Sequence, residues 1–134
     1  AGNAYEMHAH WEIGRHVRSG KRGEIATRVN ADLQALDELR HMPWCRPSAD
    51  RIRARLSYLR GDLDDAVARL RRSADQFAQI GWRVYAAQVR LALGLVIGGE
   101  EGSRFTKDAS QALFETGVAV TADEITSAMF PELE

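Results

Sequence analysis

Near the start of the chain, His8, Glu12 and His16 are spaced i, i+4, i+8. On an α-helix that spacing makes a stripe drifting by about 80° over two turns, from which two side chains could grip a transition metal. A tetrahedral set needs more: no Cys lies close by, and His10 projects to another side. The same residues read equally as a Glu12–His16 pair on a solvated face. The run Gly14-Arg-His-Val-Arg-Ser-Gly20-Lys21 invites comparison with a phosphate-binding loop. It has one residue too many between the glycines, Arg22 where a magnesium-holding hydroxyl belongs, and a helical rather than extended approach. Cys45 stands beside Trp44 between Pro43 and Pro47 with no base in view, which suits a structural thiol. His41 is placed to meet the C-terminal dipole of the helix before it. No nucleophile elbow, paired-carboxylate motif or dinucleotide fingerprint occurs, so the sequence points to no catalytic residue, no metal and no cofactor.

The 134 residues suit a single domain, and 45% hydrophobic with 28% charged residues is the balance of a chain that folds. No apolar run reaches the roughly 20 residues of a membrane span. The opening Ala1-Gly2-Asn3-Ala4 has neither an initiator Met nor a secretion-signal layout, so we expect a piece of a longer protein. A lone cysteine excludes an internal disulfide and suits a reducing, cytoplasmic setting. The net charge of −1 hides an uneven spread: residues 46–90 hold ten Lys/Arg against five Asp/Glu, while residues 91–134 hold two against eight. A basic middle can steer an acidic partner, or can be no more than solvated helix faces.

The elements that must position these residues are helices. Ala, Leu, Arg, Glu and Gln dominate, and period-3.6 stripes run through Ile25, Val29, Leu33, Leu36, Leu39 and through Ala66, Leu70, Ala74, Phe77. No sustained period-2 alternation suggests a strand. Glycines and capping residues divide the chain into hairpins at about 3–41, 48–81 and 82–117, with a terminal helix at about 121–130. Within them Ser48, Asp62 and Ser103 serve as N-caps, Gly98 to Gly102 as a linker, and Thr121 with Glu124 as a capping box. The expected core comprises Val29, Leu33, Leu36, Ala54, Leu56, Ala66, Leu70, Ala74, Phe77, Leu91 and Leu113.

Shifting the sequence on itself by 41 residues brings Gly20 onto Gly61, Ile25 onto Ala66, Val29 onto Leu70, Leu33 onto Ala74 and Leu36 onto Phe77. A second step places Gly61 on Gly102 at the same spacing, but the next helix matches only at 43, Leu70 on Leu113. A turn-helix unit repeated at this interval implies stacked hairpins, because one hairpin cannot bury its own apolar face.

The run Tyr58-Leu-Arg-Gly-Asp-Leu-Asp-Asp-Ala-Val-Ala-Arg-Leu70, with Ala74, Phe77 and Gly81 after it, resembles the second half of a tetratricopeptide repeat. Ala54 and Ala66 match the small residues where two helices cross closely. The interval exceeds the usual repeat of about 34 residues. It is nearer the long, degenerate repeats in C-terminal parts of large bacterial signalling and transcription regulators, which Ala86-Ala-Gln-Val-Arg-Leu-Ala-Leu-Gly94 and Met129-Phe-Pro-Glu-Leu133 also resemble. The resemblance implies an all-α fold of about seven helices, antiparallel hairpins stacked in a right-handed superhelix. It implies a protein-binding or self-associating module of a cytoplasmic regulator, or else a small-molecule-sensing domain of a signalling ATPase or kinase. In that register Arg51, Arg55 and Tyr58 face a concave groove and converge with Arg90 and His10 on an acidic segment, two guanidinium forks being suited to carboxylates. The asparagine that completes such a clamp in the family is missing. The arginines are expected to be exposed, so that reversing Arg51 and Arg55 to Glu would leave the fold intact. Nucleic acid is disfavoured by the five Asp among the arginines and the near-neutral pI.

Overall fold

The computed structural model describes residues 2–117, and among them every regular element is helical. The order is α1 (Gly2–Ser19), a 3-10 turn at Arg22–Glu24, α2 (Ile25–Glu38), α3 (Cys45–Leu59), α4 (Leu63–Gln79), α5 (Arg83–Ile97) and α6 (Gly99–Glu115). The expected terminal helix at about 121–130 lies outside the described residues.

Consecutive helices run antiparallel, as their cross-contacts show. Ser57 pairs with Asp65, Asp50 with Arg69 and Arg72, and Ser73 with the Pro47 carbonyl, so positions ascend on α4 as they descend on α3. Alternate helices run parallel. Glu6 and His10 of α1 meet Arg51 and Arg55 of α3, a constant offset of 45 residues. Trp44, just before α3, stacks on Trp82, just before α5, with ring centroids 6.5 Å apart.

The expected core residues are buried, except that Leu33 packs only partly against the first cluster. That cluster joins Ala9 and Ile13 of α1 to Ile25, Val29 and Leu36 of α2 and Cys45, Ile52 and Leu56 of α3. A second gathers Ala54, Leu70, Ala74 and Phe77 with Ala86, Val89 and Leu93. Ala87, Leu91, Ala109 and Leu113 form a third between α5 and α6.

Helix boundaries differ from expectation at two caps. Asp62 caps α4 as predicted, its side chain accepting from the Asp65 N–H at 3.1 Å. Ser48 does not start α3, which begins at Cys45; Pro47 sits in the first turn, where the N–H it lacks has no helical acceptor anyway. Ser103 likewise lies inside α6, and only Gly98 separates α5 from α6. The linker read at Gly98 to Gly102 is therefore mostly helix, for a packing reason. A Cβ at Gly94 would come within 2.6 Å of the Gly102 carbonyl oxygen, and one at Gly102 within 2.3 Å of that of Gly94. These glycines let the two backbones touch, and that contact outweighs the roughly 1 kcal/mol each costs in a helix. Gly102 is accordingly no counterpart of Gly61, which ends a hairpin turn at φ +83°.

Leu70, 1% exposed within the second cluster, sets the scale of the packing. Leu70→Ala should cost about 2–5 kcal/mol in urea unfolding, as deletion of a buried branched side chain does; a loss under about 0.5 kcal/mol would place Leu70 at the surface.

Candidate functional site

The structure brings three of the five predicted groove residues together, and it buries them. Arg51 is 3% exposed, Arg55 0% and His10 4%, so none lines an open groove. The premise of exposed arginines is corrected, and the cause is Glu6, one turn before His10 on the same face of α1. Arg51 Nε donates to Glu6 Oε1, and Arg51 Nη1 to Gln88 Oε1 of α5 at 3.3 Å. Its guanidinium carbon lies 5.5 Å from the Phe77 ring centre and 5.3 Å from that of Tyr85. Arg55 Nη1 donates to His10 Nδ1 at 2.8 Å, while His10 Nε2 meets Glu6 Oε1 at 3.2 Å. The geometry fits a neutral His10 that accepts at Nδ1 and donates at Nε2.

The electrostatics agree. Burial, helped by the Arg55 and Arg51 charges, holds His10 down at about 4 against the opposing pull of Glu6. For Glu6, burial alone would raise the pKa; the Arg51 charge and the hydrogen bonds from His10 and Arg51 outweigh it and hold the carboxyl at about 2. At neutral pH the cluster contains a carboxylate, two guanidiniums and an uncharged imidazole. Its ready chemistry is to tie helices together.

Tyr58 and Arg90 are not part of it. Tyr58 is half-buried on α3, and no side-chain hydrogen bond among the described residues joins it to the cluster. Arg90 borders a different surface, a groove of about 590 Å³ between α5 and α6, with Ala86, Ala87, Phe105, Ala109 and Arg83.

Within the His8, Glu12, His16 stripe the expected Glu12–His16 pair forms, Nδ1 to Oε2 at 3.3 Å, but on a buried face, and the other contacts lead away from it. His8 Nδ1 meets Asp32 of α2 at 2.7 Å, and that hydrogen bond raises its pKa against the opposing effect of burial. Glu12 accepts from Arg15 at 3.1 Å. His16 Nδ1 lies 2.8 Å from the Glu12 main-chain carbonyl, and the ring is buried rather than solvated. Among the described residues no group of three or more His, Cys, Asp or Glu is arranged to hold a metal. Cys45 is buried in the first core cluster, and burial pushes its thiol pKa up.

Sequence reading missed Glu6, Asp32 and Gln88. The Glu6–His10 spacing of i, i+4 was available as a signal; Asp32 and Gln88 lie too far along the chain for any local pattern to reveal. Compared with family models, curated proteins and solved structures, the chain matches none of them.

Two predictions follow from the cluster. Arg51→Met should destabilise the fold by about 3–5 kcal/mol because it leaves Glu6 buried without its charge partner, and adding Glu6→Gln should restore part of that loss. Additive effects in urea unfolding would show that the pair does not interact. The pH dependence has a definite sign. Folding holds His10 at about 4 and Glu6 at about 2, below their ordinary 6.5 and 4.5, so the unfolded chain binds these protons more tightly. Stability is full above pH 6.5 and falls as His10 is pushed toward pH 4, then further as Glu6 is pushed from 4.5 toward 2, at roughly 1 kcal/mol per pH unit for one proton. His8 acts oppositely, but its exposed ring is screened by solvent. Urea midpoints should therefore drop between pH 7 and pH 4.5, and His10→Gln should flatten that drop; parallel pH profiles for the two proteins would overturn the assignment to His10.

Proposed function

We propose that the chain is a helical-repeat interaction module of the tetratricopeptide type, its hairpins stacked in a right-handed superhelix, which holds a protein partner and performs no catalysis. The observation that carries this reading is a repeated turn and helix. Gly20 and Gly61 both take positive φ after a helix, and the stripes that follow are buried in the same register: Ile25 with Ala66, Val29 with Leu70, Leu36 with Phe77. Parallel packing of α1 with α3 adds support, since stacked hairpins place their first helices side by side. The resemblance to repeats of bacterial regulators assigns the module to the cytoplasmic part of such a protein, where it binds another chain or a second copy of itself.

Surface chemistry supports the same reading. Met7 and Trp11 stand exposed one turn apart on α1, with the Arg15 guanidinium 5.1 Å from the Trp11 ring, and exposed aromatic, Met and Arg side chains are the types enriched in protein interfaces. A second reading, a small-molecule sensor, rests on the groove between α5 and α6, whose apolar floor and few charged groups have the make-up of a ligand pocket.

One experiment separates the two. The purified chain, immobilised and also run on a sizing column with light scattering, should retain a defined protein or associate with itself. A thermal shift with a metabolite, without any protein association, would transfer the function to the groove between α5 and α6.

A further inference from the structure

With Arg51 and Arg55 buried, four other arginines gather along one cleft on a different face. Between α2 and α4, floored by the first half of α3, runs a cleft bordered by Arg40, Arg46, Arg53 and Arg72. Two of these are engaged: Arg72 Nη2 lies 3.2 Å from Asp50 Oδ1, and Arg40 Nη1 3.7 Å from Asp37 Oδ2. Arg46 and Arg53 make no hydrogen bond or ion pair with any described residue, although Arg53 is partly buried. Gln76 also borders the cleft, and its Oε1 is shielded from solvent with no hydrogen-bond partner.

We propose that this cleft binds an extended acidic peptide segment of a partner protein, with Arg46 and Arg53 taking its carboxylates. The proposal rests on the reading of the chain as an interaction module and gives that module a partner chemistry and a location. The shape of the site favours a peptide over a small anion. Sharing Asp37 and Arg53, the cleft continues into a second depression beside Asn30, Leu33 and Gln34. From Asn30 to Glu38, the last residue of α2, the rise is about 12 Å, the reach of about four extended residues. The exposed side-chain amides of Asn30 and Gln34 can pair with a peptide main chain. Asp37, Glu38 and Asp50 also border these depressions; a nucleic acid strand would meet them with phosphodiesters alone, whereas a peptide meets them with main-chain N–H donors. The free guanidiniums differ from the buried pair in cost: they are hydrated until a ligand arrives, so their attraction is salt-sensitive.

The test uses the full chain and a fluorescein-labelled hexaglutamate peptide, read by fluorescence anisotropy at low and physiological salt. Saturable binding should weaken with added salt and fall at least tenfold in Arg46→Glu/Arg53→Glu, with the melting temperature unchanged, because neither side chain makes a bond in the fold. If that variant is destabilised, Arg46→Gln/Arg53→Gln carries the same comparison without charge reversal. Absent binding, or binding indifferent to both double variants, overturns the proposal. Displacement by sodium pyrophosphate as effective as by unlabelled peptide overturns it in favour of a small-anion site, and a salt-sensitive dimer abolished by the double reversal overturns it in favour of a second copy. Capture of a protein that survives the double reversal removes the cleft while leaving the interaction module standing; peptide binding with no protein association does the reverse.

Discussion

One buried arginine ties together four of the six helices among the described residues. Arg51 sits on α3, pairs with Glu6 of α1, hydrogen-bonds Gln88 of α5, and lies over Phe77 of α4 and Tyr85 of α5. Four helices thus meet at one guanidinium. A planar fork with five donors can address several helices at once, which a lysine ammonium on a flexible stem does less well. The position is expensive, because an ion removed from water must be fully compensated, and here compensation comes from a carboxylate, an amide and two ring faces.

Around that arginine the charge arrangement decides protonation. Arg55 donates to His10, so the imidazole must present a lone pair, and a charged ring would stand against two guanidiniums in a space closed to water. Glu6, addressed by both Arg51 and His10, stays ionised. The neighbouring His8 has the opposite fate: an exposed ring beside a carboxylate holds its proton more firmly. Two histidines two residues apart on α1 thus respond in opposite senses to acid, because one faces the helix layer and the other its edge.

Much of the helical plan was legible in the sequence because burial of helix faces follows a local period. Val29, Leu36, Leu70 and Phe77 lie inside as their spacing requires, and Asp62 caps α4 because a helix end needs an acceptor wherever it occurs. Ser48 and Ser103 misled because a cap is a preference that packing can override: Pro47 fits the first turn of α3, and the Gly94–Gly102 approach carries helix through a glycine-rich stretch. The site was read less well. Arg51 and Arg55 look like surface residues by type, since arginine is almost never fully buried unless paired, and the partner of each lies 45 residues earlier in the chain. No periodicity links those positions. The unengaged arginines of the cleft between α2 and α4 are the same residue type on the same helix as the buried ones, and only their neighbours tell them apart.

The packing order also has a mechanical consequence. Each helix lies chiefly against the one next to it in the chain, so contacts are mostly local and assembly needs few long loop closures. A chain of that kind, drawn out by its ends, yields one hairpin at a time and gives way gradually instead of snapping. The Glu6–Arg51–Gln88 link runs across that order, binding the first, third and fifth helices at a single knot. It resists that order of yielding, because the first hairpin cannot leave without breaking a bond to the third helix.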